Sequence, residues 1–139
     1  MKKILLIIMV LGFANLSQAQ TKEETIAWIK EKIEKYAFME SEVIKINECE
    51  IVIKRYLVKG RKDLWDEITL PTNPVSYGGY NLNFKSNVVK YFEGDTKKVK
   101  YEDYIHSFVD FSREDDLGVR FLKALQHLNT FCEKKTETF

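Results

Sequence analysis

Proline, glycine and histidine are scarce in this chain, and neither sign of charge is in excess. The 139 residues include two prolines, six glycines and two histidines, with 22 basic and 21 acidic side chains. We find no low-complexity segment, internal repeat or linker that would divide the chain. A near-neutral chain lacks the basic surplus that is typical of nucleic-acid-binding domains. We therefore do not expect a nucleic-acid partner.

Sequence motifs for catalysis and metal binding are also missing. The chain has no Gly-x-Ser-x-Gly, Ser-x-x-Lys or His-Glu-x-x-His pattern. Zinc needs three or four converging ligands, whereas His106 and His127 are the only histidines and are expected on the solvated surface. The adjacent carboxylates Asp115 and Asp116 indicate the start of a helix. We therefore expect no catalytic residue, no metal and no cofactor.

Long hydrophobic runs are absent except for one at the start of the chain. Residues 4–13 are apolar apart from Gly12, and they lie between two lysines and the small-residue sequence that ends at Ala19. This run is about half as long as a membrane-spanning helix, and the pattern is typical of a secretory signal peptide. We expect cleavage after Ala19 and a periplasmic or secreted protein with no stable membrane insertion. Residues 20–139 then form a single α+β domain.

Two segments have the periodicity of amphipathic helices. Thr21 followed by Glu24 forms a capping-box pattern, and apolar residues recur at helical spacing until about Tyr36. Ser112 followed by Asp115 predicts the start of a second, longer helix. Its apolar face continues at steps of three and four residues as far as Cys132.

Between the helices the period changes to two, which predicts about seven short antiparallel strands. Gly78-Gly79 lies between two alternating segments and indicates a tight hairpin. A second hairpin is expected around residues 93–96. A last strand is expected over residues 105–111.

This order of elements resembles the pleckstrin-homology-like barrel, in which a C-terminal helix plugs one open end of seven strands. The resemblance covers roughly residues 43–133 and implies a barrel or a strongly curved sheet. The alternative is an open antiparallel sheet with both helices on one face, as in cystatin-like folds. Residues 112–132 also resemble the closing segment of small uncharacterised proteins secreted by Gram-negative bacteria, which implies no known activity.

Cys49 and Cys132 are the only cysteines in the chain. Cys49 is expected on the inward face of a strand, and Cys132 on the inward face of the last helix. An even number of cysteines outside the cytoplasm favours a disulfide. The alternative is two buried thiols, since unpaired cysteine is among the most buried residue types.

A basic loop is formed by Lys59, Arg61 and Lys62 between two predicted strands. In pleckstrin-homology domains the loop at this position often holds lipid phosphates. For a protein of the cell envelope, the resemblance therefore implies anionic glycans or outer-membrane lipid phosphates as ligands. The alternative is a solvated turn.

Four aromatic residues lie off the predicted core pattern: Trp28, Trp65, Tyr77 and Tyr80. Aromatic side chains outside a core can bind a sugar ring or a partner protein, or they can pack against one another. We expect a non-catalytic domain that binds a protein, a small molecule or a glycan through these residues. The alternatives are a small hydrolase-like enzyme or enzyme inhibitor of the envelope, and a purely structural role.

Overall fold

The computed structural model describes residues 20–106 and 108–132. The predicted signal peptide, residues 1–19, lies outside the described residues. The described part has an α+β fold with helix α1 (Lys22–Tyr36), eight strands, a short 3-10 helix (Phe111–Arg113) and helix α2 (Leu117–Asn129). The strands are β1 (Ser41–Ile46), β2 (Glu50–Val58), β3 (Arg61–Pro71), β4 (Ser76–Gly78), β5 (Asn81–Asn83), β6 (Val89–Glu93), β7 (Val99–Glu102) and β8 (Tyr104–His106).

The strands form two antiparallel sheets. The larger sheet has five strands in the order β1-β2-β3-β6-β7, and the smaller sheet has three in the order β4-β5-β8. Register shifts in β1 between Val43 and Lys45, and in β2 between Tyr56 and Val58, bend the larger sheet at its edge. The expectation of a curved or open sheet is confirmed.

The sheets do not close into a barrel within the described part of the chain, so the barrel expectation is wrong. Strand β3 ends at Pro71, which has no N–H to donate to a neighbouring strand. The chain then leaves the larger sheet, and the hairpin of β4 and β5 pairs with β8 instead. The predicted last strand is also shorter than expected, because it ends at His106 and Val109 makes only an isolated bridge to Ala37.

Helix α1 matches its prediction. The Thr21 hydroxyl accepts a hydrogen bond from the Glu24 backbone N–H, and the Glu24 carboxylate accepts one from the Thr21 backbone N–H. Ile29 and Ile33 from the predicted apolar stripe are almost completely buried. The capping box and the stripe together explain both where the helix begins and which face turns inward.

Helix α2 begins later than the sequence pattern predicts. Ser112 belongs to the 3-10 helix, and its backbone N–H donates a hydrogen bond to the carboxylate of the N-cap residue Asp110. Glu114, which follows this helix, has an extended backbone. Asp116, with φ of 56°, then precedes the first residue of α2. The predicted cap at Ser112 is wrong because local hydrogen bonds and the extended Glu114 interrupt the helix before Leu117.

The Gly-Gly hairpin is confirmed, with its turn one residue later than expected. Gly79 and Tyr80 occupy the turn, and both have positive φ, of 57° and 65°. Two successive residues with positive φ are typical of a primed hairpin turn. Tyr80 is therefore a turn residue and does not belong to the following strand.

One hydrophobic core joins both helices to the sheets. Strands β2 and β3 contribute four fully buried side chains, Ile51, Ile53, Ile68 and Leu70. Helix α2 contributes Leu117, Phe121, Leu125 and Leu128. Neither described helix is both long and apolar enough to cross a membrane.

Candidate functional site

A cleft lies between the first turns of α1 and one flank of α2. It has a volume of about 360 Å³, and we call it the Trp28 cleft. Its lining residues are Gln20, Trp28, Arg120, Lys123, Ala124 and His127. The four residues from α2 are spaced by three and four positions, so they share one face of the helix. The cleft therefore has a helical wall of mostly basic character facing an indole ring.

Trp28 is half-buried because one side of its ring packs on the core. The ring centroids of Trp28 and Phe121 are 6.0 Å apart, and Phe121 is completely buried. The Lys32 ammonium lies 5.6 Å from the Trp28 ring centroid, and the Arg120 guanidinium lies 5.9 Å from it. These distances are within the range of cation–π attraction. The indole is thus anchored on the core and bordered by two cations.

A hydrogen-bonded network beside the cleft is centred on the Glu114 carboxylate. It accepts hydrogen bonds from the Lys32 ammonium and the Tyr36 hydroxyl, both at 2.8 Å, and from the Arg120 guanidinium at 2.6 Å. The hydrogen bond from Lys32, followed by those from Tyr36 and Arg120, lowers the pKa of Glu114 to about 2. The network ties α1 to the segment before α2 and holds Arg120 at the rim of the cleft.

Lys32 belongs to this network and is the most buried cation described. Only 7% of the residue is exposed. Its hydrogen bond to Glu114 raises the pKa of Lys32, against the opposing effect of its burial. Burying a charge is costly unless it is paired, and Lys32 is paired with Glu114 at 2.8 Å and with Glu31 at 3.3 Å.

His127 closes one end of the cleft. Its Nε2 atom lies 2.8 Å from the backbone carbonyl oxygen of Gln20, and its ring packs edge-on against Phe131 at 5.3 Å. His127 is half-buried and lines the cleft. His106 is exposed, as expected, and contacts the Asn81 side chain.

Lys123 makes the charge of the cleft positive. The Glu114 carboxylate is within hydrogen-bonding distance of both Lys32 and Arg120, whereas no carboxylate among the described residues lies within 4.0 Å of the Lys123 ammonium. Two exposed cations, Arg120 and Lys123, therefore stand at the mouth of a cleft with an apolar floor. This combination suits a ligand that has both a flat apolar part and a negative charge.

Trp65 lies elsewhere, on the side of the larger sheet that faces away from the helices, which we call the outer sheet face. Its ring packs on Phe92, with centroids 5.8 Å apart, and the Lys54 ammonium lies 4.4 Å from its centroid. A Cβ atom at Gly94 would lie 2.2 Å from the ring. Tyr56, which was not among the predicted site residues, lies opposite Trp65 on the neighbouring strand. The Lys62 ammonium is 3.8 Å from the centroid of the Tyr56 ring.

Tyr77 and Tyr80 are three positions apart in sequence but have different surroundings. Tyr77 packs edge-on against Phe111 at 5.0 Å and covers Gly118 of α2. Burial raises the pKa of Tyr77. Tyr80 is half-exposed at the hairpin turn.

The structure therefore does not bring the four predicted aromatics into one patch. Phe111 and Phe121 connect Tyr77 to Trp28 through a continuous series of ring contacts. Trp65 belongs to a separate set of aromatics on the outer sheet face. Tyr80 projects from the turn between β4 and β5.

The predicted basic loop is shorter than expected: Lys59 and Gly60, which has a φ of 79°, form the turn between β2 and β3, whereas Arg61 and Lys62 are the first residues of β3. Two of the three predicted cations are paired. Arg61 donates two hydrogen bonds to Asp63, which lower the pKa of Asp63 to about 2. Lys62 donates to Glu40. Lys59 lines a shallow groove with apolar side chains, including Phe38 and Leu57. The loop is exposed, and its pairing leaves little net charge for an anion.

The disulfide between Cys49 and Cys132 is confirmed. Their Cα atoms are 4.9 Å apart, and 83 positions separate them in sequence. Nearby, the buried Thr72 hydroxyl contacts the Glu48 carbonyl and the Asn129 side chain. These contacts attach the C-terminal end of α2, the helix that forms the cleft wall, to the start of β2.

Trp28 could be predicted as a candidate from the sequence, whereas the rest of the cleft could not. The sequence does contain a pattern that indicates the α2 wall of the cleft, since Arg120, Lys123 and His127 recur at helical spacing beside the apolar stripe. It could not be linked to Trp28 without knowing that α1 and α2 are neighbours. Within residues 20–106 and 108–132, no group of three or more metal-ligating side chains converges.

Comparison with protein-family models, with curated proteins and with solved structures finds no match to this chain.

Proposed function

We propose that this chain is a non-catalytic binding domain that works in the periplasm or as a secreted protein. The Trp28 cleft is its binding site. The observation that carries the proposal is the open space beside an indole that the core holds in place, in a cleft that two exposed cations, Arg120 and Lys123, also line. Clefts of this kind, with apolar walls and a few placed polar groups, are typical of small-ligand sites.

Two features support the location outside the cytoplasm. Disulfides persist in oxidising compartments and are rare in the cytosol, and this chain has one between Cys49 and Cys132. The lysines and apolar run at the start of the chain have the pattern of a secretory signal. An intact mass of the purified protein would test cleavage after Ala19, because a mass that includes Met1 contradicts it.

A binding role accounts for the titratable groups beside the cleft better than catalysis does. The largest pKa change there is that of Glu114, and its three hydrogen bonds explain it. A carboxylate with its charge held this firmly is a poor proton acceptor at neutral pH. Its partners link two helices, which is a structural task.

The two tryptophans allow a site-resolved binding experiment. The chain contains two tryptophans, so the ¹H–¹⁵N spectrum of the labelled protein has two indole N–H peaks, which Trp28→Phe and Trp65→Phe would assign. We would titrate a library of ring compounds with neutral, cationic and anionic groups. We expect a subset to shift the Trp28 peak and leave the Trp65 peak unchanged. The proposal fails if no compound shifts the Trp28 peak, or if both peaks shift equally.

A further inference from the structure

We infer that the Trp28 cleft selects small planar anions, meaning a flat ring joined to a carboxylate or phosphate group. This inference rests on the binding role proposed above and specifies the chemical class of the ligand. It follows from three properties of the cleft: its shape, the arrangement of its cations and its size.

The centre of the cleft wall is small and apolar, with larger polar groups on both sides. Ala124 lies one helical turn after Arg120 and nearly one turn before His127. Residues at these spacings stack along one face of a helix. The methyl group of Ala124 therefore leaves an opening between two long side chains, opposite a wall that includes the Trp28 ring. A flat ring fits such an opening better than a branched aliphatic group.

The cations are arranged so that an anion can reach them. Arg120 uses its Nη2 atom for Glu114, and a guanidinium has five N–H donors, so donors remain for a ligand. The bond to Glu114 also holds the guanidinium in place, which lowers the entropy lost on binding. Lys123, three residues later, supplies a second exposed charge.

The surrounding charges disfavour a cationic ligand. The network contains two carboxylates: Glu114 accepts hydrogen bonds from Lys32, Tyr36 and Arg120, and Glu31 accepts one from Lys32 at 3.3 Å. Neither carboxylate is among the described residues that line the cleft. A ligand ammonium would approach Arg120 and Lys123 and would be repelled by both. The Trp28 cleft should therefore bind an anion and a cation with a larger difference in affinity than it binds two different anions.

The size of the cleft sets the scale of the ligand. A volume of about 360 Å³ is near the lower end of the range for small-molecule sites, roughly 300–1,000 Å³. One or two fused rings with a single charged substituent fit this space. A folded protein partner could insert only one side chain there.

The test uses three compounds that share a ring system and differ in charge. 2-Naphthoate, 2-naphthalenemethanol and 2-naphthylmethylammonium would each be titrated into the labelled protein at low ionic strength. We expect 2-naphthoate to shift the Trp28 indole peak with an affinity roughly tenfold higher than that of the alcohol, because charge-assisted hydrogen bonds are stronger than neutral ones. We expect the ammonium compound to be the weakest ligand. Phenyl phosphate and benzoate would then compare the two anionic groups.

A matched pair of charge variants checks the assignment. Lys123→Gln should weaken 2-naphthoate binding about threefold to fivefold, as expected for one exposed charge, and leave the alcohol unaffected. Lys90→Gln removes the same charge from an exposed position on β6 and should have no effect. Lys123→Arg should retain binding.

The outcomes separate this inference from the proposed function. If the alcohol and the ammonium compound shift the Trp28 peak as strongly as the naphthoate does, the anion class is wrong and the binding site stands. If none of the compounds shifts that peak, both proposals fail. A shift of the Trp65 peak by the naphthoate would place the anion site on the outer sheet face and overturn the inference.

Discussion

The two tryptophans of this protein illustrate how differently two half-buried aromatic rings can be used. Trp28 lies between two helices and borders an open cleft. Trp65 lies on the outer sheet face, where Gly94 contacts its ring and the Lys54 ammonium sits 4.4 Å from the ring centroid. The two rings are thus buried to a similar extent, but Trp28 has open space beside it, whereas the surroundings of Trp65 are filled. For ligand binding, the groups that already occupy the ring face matter more than the exposed area.

The same comparison extends to the two sides of the molecule. On the helical side, a disulfide and the Glu114 network hold separate elements together across long sequence distances. On the outer sheet face, neighbouring strands supply most of the contacts. We therefore expect perturbations of the helical side to affect Trp28 without affecting Trp65, and the reverse for the sheet.

The largest expected effect is that of removing the disulfide. Replacing Cys49 and Cys132 by serine should lower the free energy of unfolding by about 2–5 kcal/mol, because the unfolded chain regains the freedom that the cross-link removed. Chemical denaturation would measure the loss. Amide hydrogen exchange should rise first in α2 and only later in β2 and β3. Equal acceleration in all three elements would contradict the view that the cross-link mainly secures the cleft wall.

A second pair of variants concerns two glycines, each of which contacts one aromatic ring. A Cβ at Gly118 would lie 2.1 Å from the Tyr77 ring, and one at Gly94 would lie 2.2 Å from the Trp65 ring. Gly118→Ala should destabilise the protein by about 1–3 kcal/mol through overpacking, although alanine within a helix is otherwise favourable by about 1 kcal/mol. Thermal unfolding would show whether Gly118→Ala lowers or raises the stability of the protein.

The two glycine variants should also report separately on the two tryptophans. Gly118→Ala displaces Tyr77, whose ring contacts continue through Phe111 to Phe121 and Trp28. It should move the Trp28 indole peak, whereas Gly94→Ala should move the Trp65 peak. If each variant moved both peaks alike, the two aromatic sets would not be independent.

A third comparison concerns two carboxylates that both have a pKa of about 2, Glu114 and Asp63. The ordinary pKa of Glu114 is 4.5, so its pairing stabilises the folded protein fully above about pH 4.5 and is lost as the pH falls towards 2. Wild-type stability should therefore fall more steeply in this window than that of Glu114→Gln. Urea denaturation at several pH values would measure the slopes.

Asp63→Asn is the matched control for Glu114→Gln. The Asp63 pair with Arg61 is exposed within a single loop, and exposed pairs contribute little to stability. Glu114 instead compensates the buried Lys32. At pH 7 we expect Glu114→Gln to destabilise the protein clearly and Asp63→Asn to leave it almost unchanged. Equal effects would show that the Glu114 network is no more than a surface feature.

Apart from the Asp63→Asn control, the smallest expected effect on stability is that of uncovering Trp65. Lys54→Gln removes the cation–π contacts of Lys54 with Trp65 and Tyr56, and such a contact is worth about 0.5–1 kcal/mol at an exposed site. The ring should become more accessible, so the neutral quencher acrylamide should quench Trp65 fluorescence more strongly in a Trp28→Phe background. Unchanged quenching would mean that Phe92, Gly94 and Lys97, rather than Lys54, protect the ring.

The secondary structure and the disulfide could be predicted from the sequence to a large extent, and the site only in part. The capping box at Thr21, the apolar stripe of α1 and the Gly-Gly hairpin depend on neighbouring residues, and all three are confirmed. The late start of α2 could not be foreseen, because Glu114 is extended where its carboxylate reaches Lys32 and Tyr36, about 80 positions earlier in the chain.

The binding surface shows the same division. Trp28 could be identified as lying off the core pattern, and so could Trp65, since both assignments follow from local periodicity. Which of them borders a cleft depends on the pairing of α1 with α2, on the small side chain of Ala124 and on the position of Lys54 over a ring from the next strand. None of these contacts can be derived from the spacing of apolar residues, which repeats every two residues in a strand and every 3.6 in a helix.

Periodicity, capping residues and turn glycines were therefore enough to establish an α+β chain, since they act over a few residues. Folding in three dimensions settled how the strands divide into two sheets, how the Glu114 network forms and where an open cleft remains. These features depend on contacts between distant residues, and their energies are decided by packing and charge pairing in the assembled core.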